Sequence, residues 1–257
     1  MADFDNRVLP GQAAAAGVYD EGLRGYMLRV YNYMLIAMLV TGVSAYGIYS
    51  ASVTTDPAAA AAHLSGGLML TKLGVAIFTS PLRWVIMLAP VGAALFLQAR
   101  VRVMSVVGAQ AVFWVFSALM GFSIAAICMV YAQTDITQAF FLTAGAFGGL
   151  SLYGYSTKRD LSGMASFLIM GMWGLFFALI ANIFFESKGA QLLLSIIGVG
   201  IFAGLTAYDS QAIKERYSAN DDGTVTGRKA ILGAVHLYID FINMFQFLLY
   251  IMGGSRR

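Results

Sequence analysis

The chain has 257 residues, 59% of them hydrophobic and 11% charged, with a formal charge of +3 from 16 basic and 13 acidic side chains. A soluble domain carries about 25% charged residues, so this balance excludes a water-soluble fold and points to an all-α integral membrane protein. The small charge excess argues against a nucleic-acid partner and for a loop bias. The single cysteine, Cys128, excludes an intrachain disulfide and a cysteine-rich metal site.

Residues 1–23 hold Asp3, Asp5, Asp20 and Glu21 and lack the apolar core of a signal peptide. They are expected to form a short cytoplasmic tail ahead of a single transmembrane domain over 24–257. A membrane-spanning helix needs about 20 mostly apolar residues. Such spans are predicted at 26–48, 82–98, 106–131, 136–155, 161–185, 192–213 and 230–252, seven in all. The second is short and contains Pro90, which removes a backbone donor and should bend it. Between the first two, Asp56-Pro57 and the following alanines read as loop, and 66–79, too short to cross, as an interfacial or re-entrant piece. Gly145, Gly148, Gly149 and Gly154 in the fourth span suggest close helix packing. Tyr26, Tyr31, Tyr33 and Trp84 fit interface belts.

Lysine and arginine placement sets orientation. With the N-terminus inside, Arg24, Arg29, Arg100, Arg102, Lys158, Arg159, Lys214, Arg216, Arg228 and Lys229 fall on the cytoplasmic side. Lys72, Arg83 and Lys188 fall outside, with Asp135 and Glu186 in short outer turns. Arg256 and Arg257 fit this bias only if the last helix re-enters or if two terminal arginines count for little.

Asp209, in GLTAYDSQ, and Asp240, in HLYIDFINMF, are carboxylates inside apolar helical runs. Such a group is costly in a membrane unless paired, protonated or wetted, so each is a candidate functional residue. On the last helix His236, Asp240, Asn243 and Gln246 follow at spacings of four, three and three. They are expected to form one polar stripe that faces protein, which would make this helix central. Consecutive spans are usually antiparallel neighbours, and Asp240 lies about 15 Å into its helix. The two acids therefore fall in the same half of the membrane, and on contact would compete for a single proton. The plainer alternative is that each is satisfied separately, with Arg100 and Arg102 at hand. Calcium prefers six to eight oxygen ligands; two carboxylates, Asn243, Thr206 and carbonyls offer only a weak, transient metal site. Such a site suits passage better than storage. His63 reads as solvated.

TAYDSQ, GYSTKRDLS between the fourth and fifth spans, and the C-terminal LYIDFINMFQFLLYIMG resemble the Bax inhibitor family, and the chain is similar to its bacterial members over about residues 26–254. The resemblance implies seven helices with the C-terminal one central within two layers of three. It also implies a pH-sensitive calcium leak gated by a di-aspartyl pair, here Asp209 and Asp240. An arginine after the second helix latches onto that pair, with Arg100 the nearest match and Arg102 close behind. His236 and Asn243 would tune the site. A glutamate that some members carry in the second helix is absent between Leu82 and Gln98.

The expected function is thus a passive calcium channel in a bacterial inner membrane, with protons and calcium as its small partners and no cofactor. The alternative is a non-conducting modulator of membrane proteases or stress responses that acts on a membrane-protein partner. No enzymatic activity is expected. An intramembrane aspartyl protease also uses two aspartates, but normally has a glycine-x-glycine before the second, where this chain has Leu237-Tyr238-Ile239.

Overall fold

A computed structural model of the chain describes residues 10–63 and 67–254. Most of these are helical. Helix α1 (Pro10–Ser52) begins at a proline, a residue suited to the first helical turn. It starts well ahead of the span predicted from residue 26. The rest of the tail expected at 1–23, and Arg256 and Arg257, lie outside the described residues.

The segment after α1 is more ordered than a loop. Strands β1 (Val53–Thr54), β2 (Ala62–His63) and β3 (Met69–Leu70) form a small antiparallel sheet in the order β1-β3-β2. A 3-10 turn at Pro57–Ala59 is capped by Asp56, and His63 is exposed as expected. Two-residue strands carry too little alternation to be seen in sequence. Helix α2 (Lys72–Phe78) follows, with the Thr71 hydroxyl accepting from Gly74 N at 3.1 Å.

Helix α3 (Leu82–Arg100) runs continuously through Pro90. Helix α4 (Val106–Ile124) starts at a Ser105 cap, and the short α5 (Ile127–Val130) continues it. Then come α6 (Gln133–Ser156), α7 (Ser162–Phe185), α8 (Lys188–Glu215) and α9 (Gly223–Gly254). Asp135 is not in an outer turn but buried in the first turn of α6, where a carboxylate suits the helix dipole. Glu186 ends α7 in the left-handed conformation at φ 47°.

Among the described residues, six helices are long and apolar enough to cross a membrane: α1, α3, α4 with α5, α7, α8 and α9. The chain is an integral membrane protein. Helix α6 is as long as α7 but less apolar. It lies across a fissure from α1, sharing one cavity with Arg24 at its Tyr155 end and another with Ala45 at its Ile136 end.

Burial differs sharply among the spans. In the apolar stretch of α9 67% of residues are buried, against 11% for α7. Helix α9 packs on α1, α4, α6 and α8. Tyr238 enters between α1 and α4, its hydroxyl 2.6 Å from Thr41 Oγ1 and its ring edge-on to Phe116. Phe241 meets Phe140 and Phe147 of α6, and Phe247 lies on Gly198 and Phe202 of α8. The basic loops gather at one end: Arg228 donates to the Arg102 carbonyl, Lys214 to that of Tyr155, and Lys229 to that of Arg216. The tyrosines expected in a belt are partly interior, because Tyr26 is buried and Tyr31 bonds to Ser151 of α6.

Of the four glycines expected to mediate close packing, only Gly154 does so. A Cβ there would collide with the Ala207 carbonyl of α8, whereas Gly145, Gly148 and Gly149 face open space. Glycine spacing does not by itself say which face meets a helix. Gly154→Ala should therefore destabilise the fold by about 1–3 kcal/mol. Gly145→Ala should be neutral or stabilising by up to about 1 kcal/mol, the helix-propensity gain. Thermal unfolding of both variants in one detergent checks the contrast.

Candidate functional site

The α8–α9 interface is apolar, and most of its hydroxyls are satisfied locally. Thr206 donates to the Phe202 carbonyl at 2.7 Å and Ser210 to that of Thr206 at 2.8 Å. A carboxylate has no such recourse, since it only accepts. Asp209 of α8 and Asp240 of α9 lie within hydrogen-bonding reach of each other. Asp240 is the inner member at 4% exposure, and its Oδ2 is buried without a hydrogen-bond partner. The Asp209 side chain is 16% exposed, and His236, one turn before Asp240, brings Nδ1 to 3.9 Å from Asp209 Oδ2.

The other expected site residues lie elsewhere. Arg100, in the last turn of α3, and Arg102 are exposed, and among the described residues no ion pair joins either to an aspartate. The Arg102 carbonyl instead accepts from Arg228 Nη1 at 2.8 Å, which ties the α3–α4 turn to the start of α9. The arginine that acts electrostatically on Asp209 and His236 is Arg216, at the C-cap of α8. Arg216 lies two turns after Asp209 on the same helix, a spacing already present in the sequence. Asn243 donates to the Ile239 carbonyl at 2.8 Å, within its own helix. Gln246 is exposed; at 3.6 residues per turn it lies about 80° round from His236, so the expected stripe drifts off the interface. Among the described residues, no three His, Cys, Asp or Glu side chains cluster to hold a metal.

Two further residues fix the site's surroundings. Gln211 accepts from Leu161 N and donates to the Arg159 carbonyl, both at 2.8 Å, and so staples the GYSTKRDLS segment to α8. Lys214 donates to the Tyr155 carbonyl and lies 5.2 Å from the Tyr155 ring centre. In the same segment Asp160 accepts from Ser162 N at 2.8 Å, and these hydrogen bonds from Ser162 hold its carboxyl below the ordinary carboxylate range. A depressed carboxyl contributes stability above its unfolded value near pH 4, lost as the pH falls through the folded one.

Comparison with known proteins bears on the arrangement as a whole. The family described as "Inhibitor of apoptosis-promoting Bax1" matches residues 23–257. The chain belongs to the Bax inhibitor family. An uncharacterised protein of Rickettsia prowazekii is 39% identical over 238 residues, 93% of each chain. One from Caulobacter vibrioides is 37% identical over the whole of both chains. The inner membrane protein YbhL of Escherichia coli is 35% identical over 91% of this chain and 94% of its own. TAYDSQ and LYIDFINMFQFLLYIMG fall on α8 and α9, and GYSTKRDLS is the segment that Gln211 holds.

Gln211→Ala would strand two backbone groups of that segment. A loss of about 1–3 kcal/mol is expected, read as lower thermal stability together with faster proteolysis between α6 and α7.

Proposed function

We propose that the chain is a pH-sensitive calcium leak channel of a bacterial inner membrane, gated by Asp209 and Asp240. The observation that carries this is the meeting of two intramembrane carboxyl groups on neighbouring helices, one of them wholly enclosed. Two such groups share a proton or repel one another. With a proton between them α8 and α9 stay together. Without it, the charges part towards His236, 3.9 Å from Asp209, and the Arg216 cation that acts on the same carboxylate. Asp209 and His236 are both partly exposed, which suits access from the end where the basic loops gather. Farther along α9, Met244 and Leu249 are buried and Phe247 is seated on Gly198, so we read this conformation as closed.

The same reading takes α6 as a seventh span and α9 as the centre of two layers of three. The four helices around α9 support it. It places the N-terminus in the cytoplasm, on the strength of the gathered basic loops, and an inner-membrane location accords with the printed description of YbhL. Calcium passes as cargo over two carboxylates too few to retain it. The reading assigns no catalysis to the pair, in keeping with the bulky Leu237-Tyr238-Ile239 before Asp240 where an aspartyl protease would carry glycines.

Calcium uptake into proteoliposomes is expected to vary with pH, no more steeply than about tenfold per unit, the limit for a gate set by one proton. Asp209→Asn and Asp240→Asn should each abolish that dependence. Arg216→Gln should move its midpoint more than Arg100→Gln or Arg102→Gln does. An unchanged pH response in both aspartate variants removes the gate. Absence of flux at every pH, with a membrane protease co-purifying, favours a non-conducting modulator instead.

A further inference from the structure

Helices α1 and α6 both pack on α9 but leave a fissure between them. At the end where the basic loops gather it forms a cavity of about 690 Å³. Past a waist at Met38 and Phe241 it continues as a second cavity of about 270 Å³. The walls of the larger one are apolar, and its lips at Leu28, Leu35 and Leu152 are exposed on the membrane-facing surface.

Of the three hydroxyl-bearing residues that line it, Tyr31, Ser151 and Tyr155, the first two turn inward. Ser210 spends its hydrogen on the Thr206 carbonyl, so it accepts from Ser151 at 2.7 Å, and Ser151 in turn accepts from Tyr31 at 2.8 Å. The bonds of Tyr31 and Ser151 therefore leave neither hydroxyl free beside an apolar guest. The mouth is cationic. Arg24 lines it, and the Lys214 ammonium stands behind Tyr155, another lining residue. Glu21, a turn earlier on α1, does not line it.

From Arg24 to Met38 the helix axis rises about 21 Å, the depth of one leaflet's hydrocarbon, about 15 Å, plus its headgroup region. Spread over that length, and allowing for the radius of a water molecule at each wall, the cavity has a mean bore of about 9 Å. A helix with side chains is about 10–12 Å wide, so the bore suits an acyl chain and not another helix. We propose that this half of the fissure binds one anionic phospholipid of the adjoining leaflet. An acyl chain lies between α1 and α6 down to Phe241, and the phosphate meets Arg24. The assignment requires only that the helices sit in a bilayer and is independent of what the aspartates do.

Native mass spectrometry of protein released from nanodiscs of equal phosphatidylglycerol and phosphatidylcholine tests it. The wild type should retain one phosphatidylglycerol about fivefold more often than phosphatidylcholine. Gly148→Leu should lose the retained lipid, because Gly148 lines the cavity and a Cβ there meets nothing within 4 Å. Gly149→Leu, on the same helix but outside the lining, should keep it. Arg24→Gln should keep a lipid but show no headgroup preference. If Gly148→Leu does not fold, Ala144→Leu fills the same wall. Retention unchanged by the filling variant, equal loss in Gly149→Leu, or no preference in the wild type overturns the proposal. A lipid-free dimer that the filling variant dissociates also overturns it, by giving the fissure to a second copy.

Discussion

Hydroxyl groups inside this bundle bond to their own helices, as Thr143, Ser195, Thr206 and Ser210 each do with the carbonyl four residues back. A carboxyl group cannot, because its ionised form has nothing to donate and its own helix offers no free N–H beyond the first turn. Asp209 and Asp240 must therefore look to another element, and the element each finds is the other's helix. That need makes the α8–α9 contact more than packing. In the proposed function it is the contact through which a proton would control the separation of the two helices.

The surrounding structure serves this contact. Gly154 lets α6 press on α8 at Ala207, two residues before Asp209, and Gln211 holds the segment between α6 and α7 against the same helix. Tyr238 anchors α9 to α1 and α4, and Phe247 seats it on α8 farther along the interface that holds the two acids. Helix α9 is then the most buried span although it carries a histidine and an aspartate. Helix α7, with almost nothing but apolar side chains, is left mainly to face lipid.

Much of this was legible in the sequence. Hydrophobic run length located every long helix, and two acids in apolar runs marked α8 and α9 as the place to look. Rotation was harder to read. Gln246 belonged to the stripe by spacing but turns away from it, and three of the four clustered glycines face no helix. Long-range partners were hardest, since Gln211 reaches a segment fifty residues earlier and nothing local marks that bond. Arg100 and Arg102 were the expected cations both by position and by resemblance, whereas the arginine that acts on Asp209 comes from its own helix. The sheet after α1 is too short to leave a pattern.

The central claim is that one hydrogen ion serves both carboxyl groups. Infrared spectra of the protein in nanodiscs, followed through a pH titration at the protonated-carboxyl stretch, test it most directly. The account predicts a single titrating band from the pair, removed or displaced by Asp209→Asn and equally by Asp240→Asn. Two bands titrating separately, each responding only to its own substitution, would contradict it.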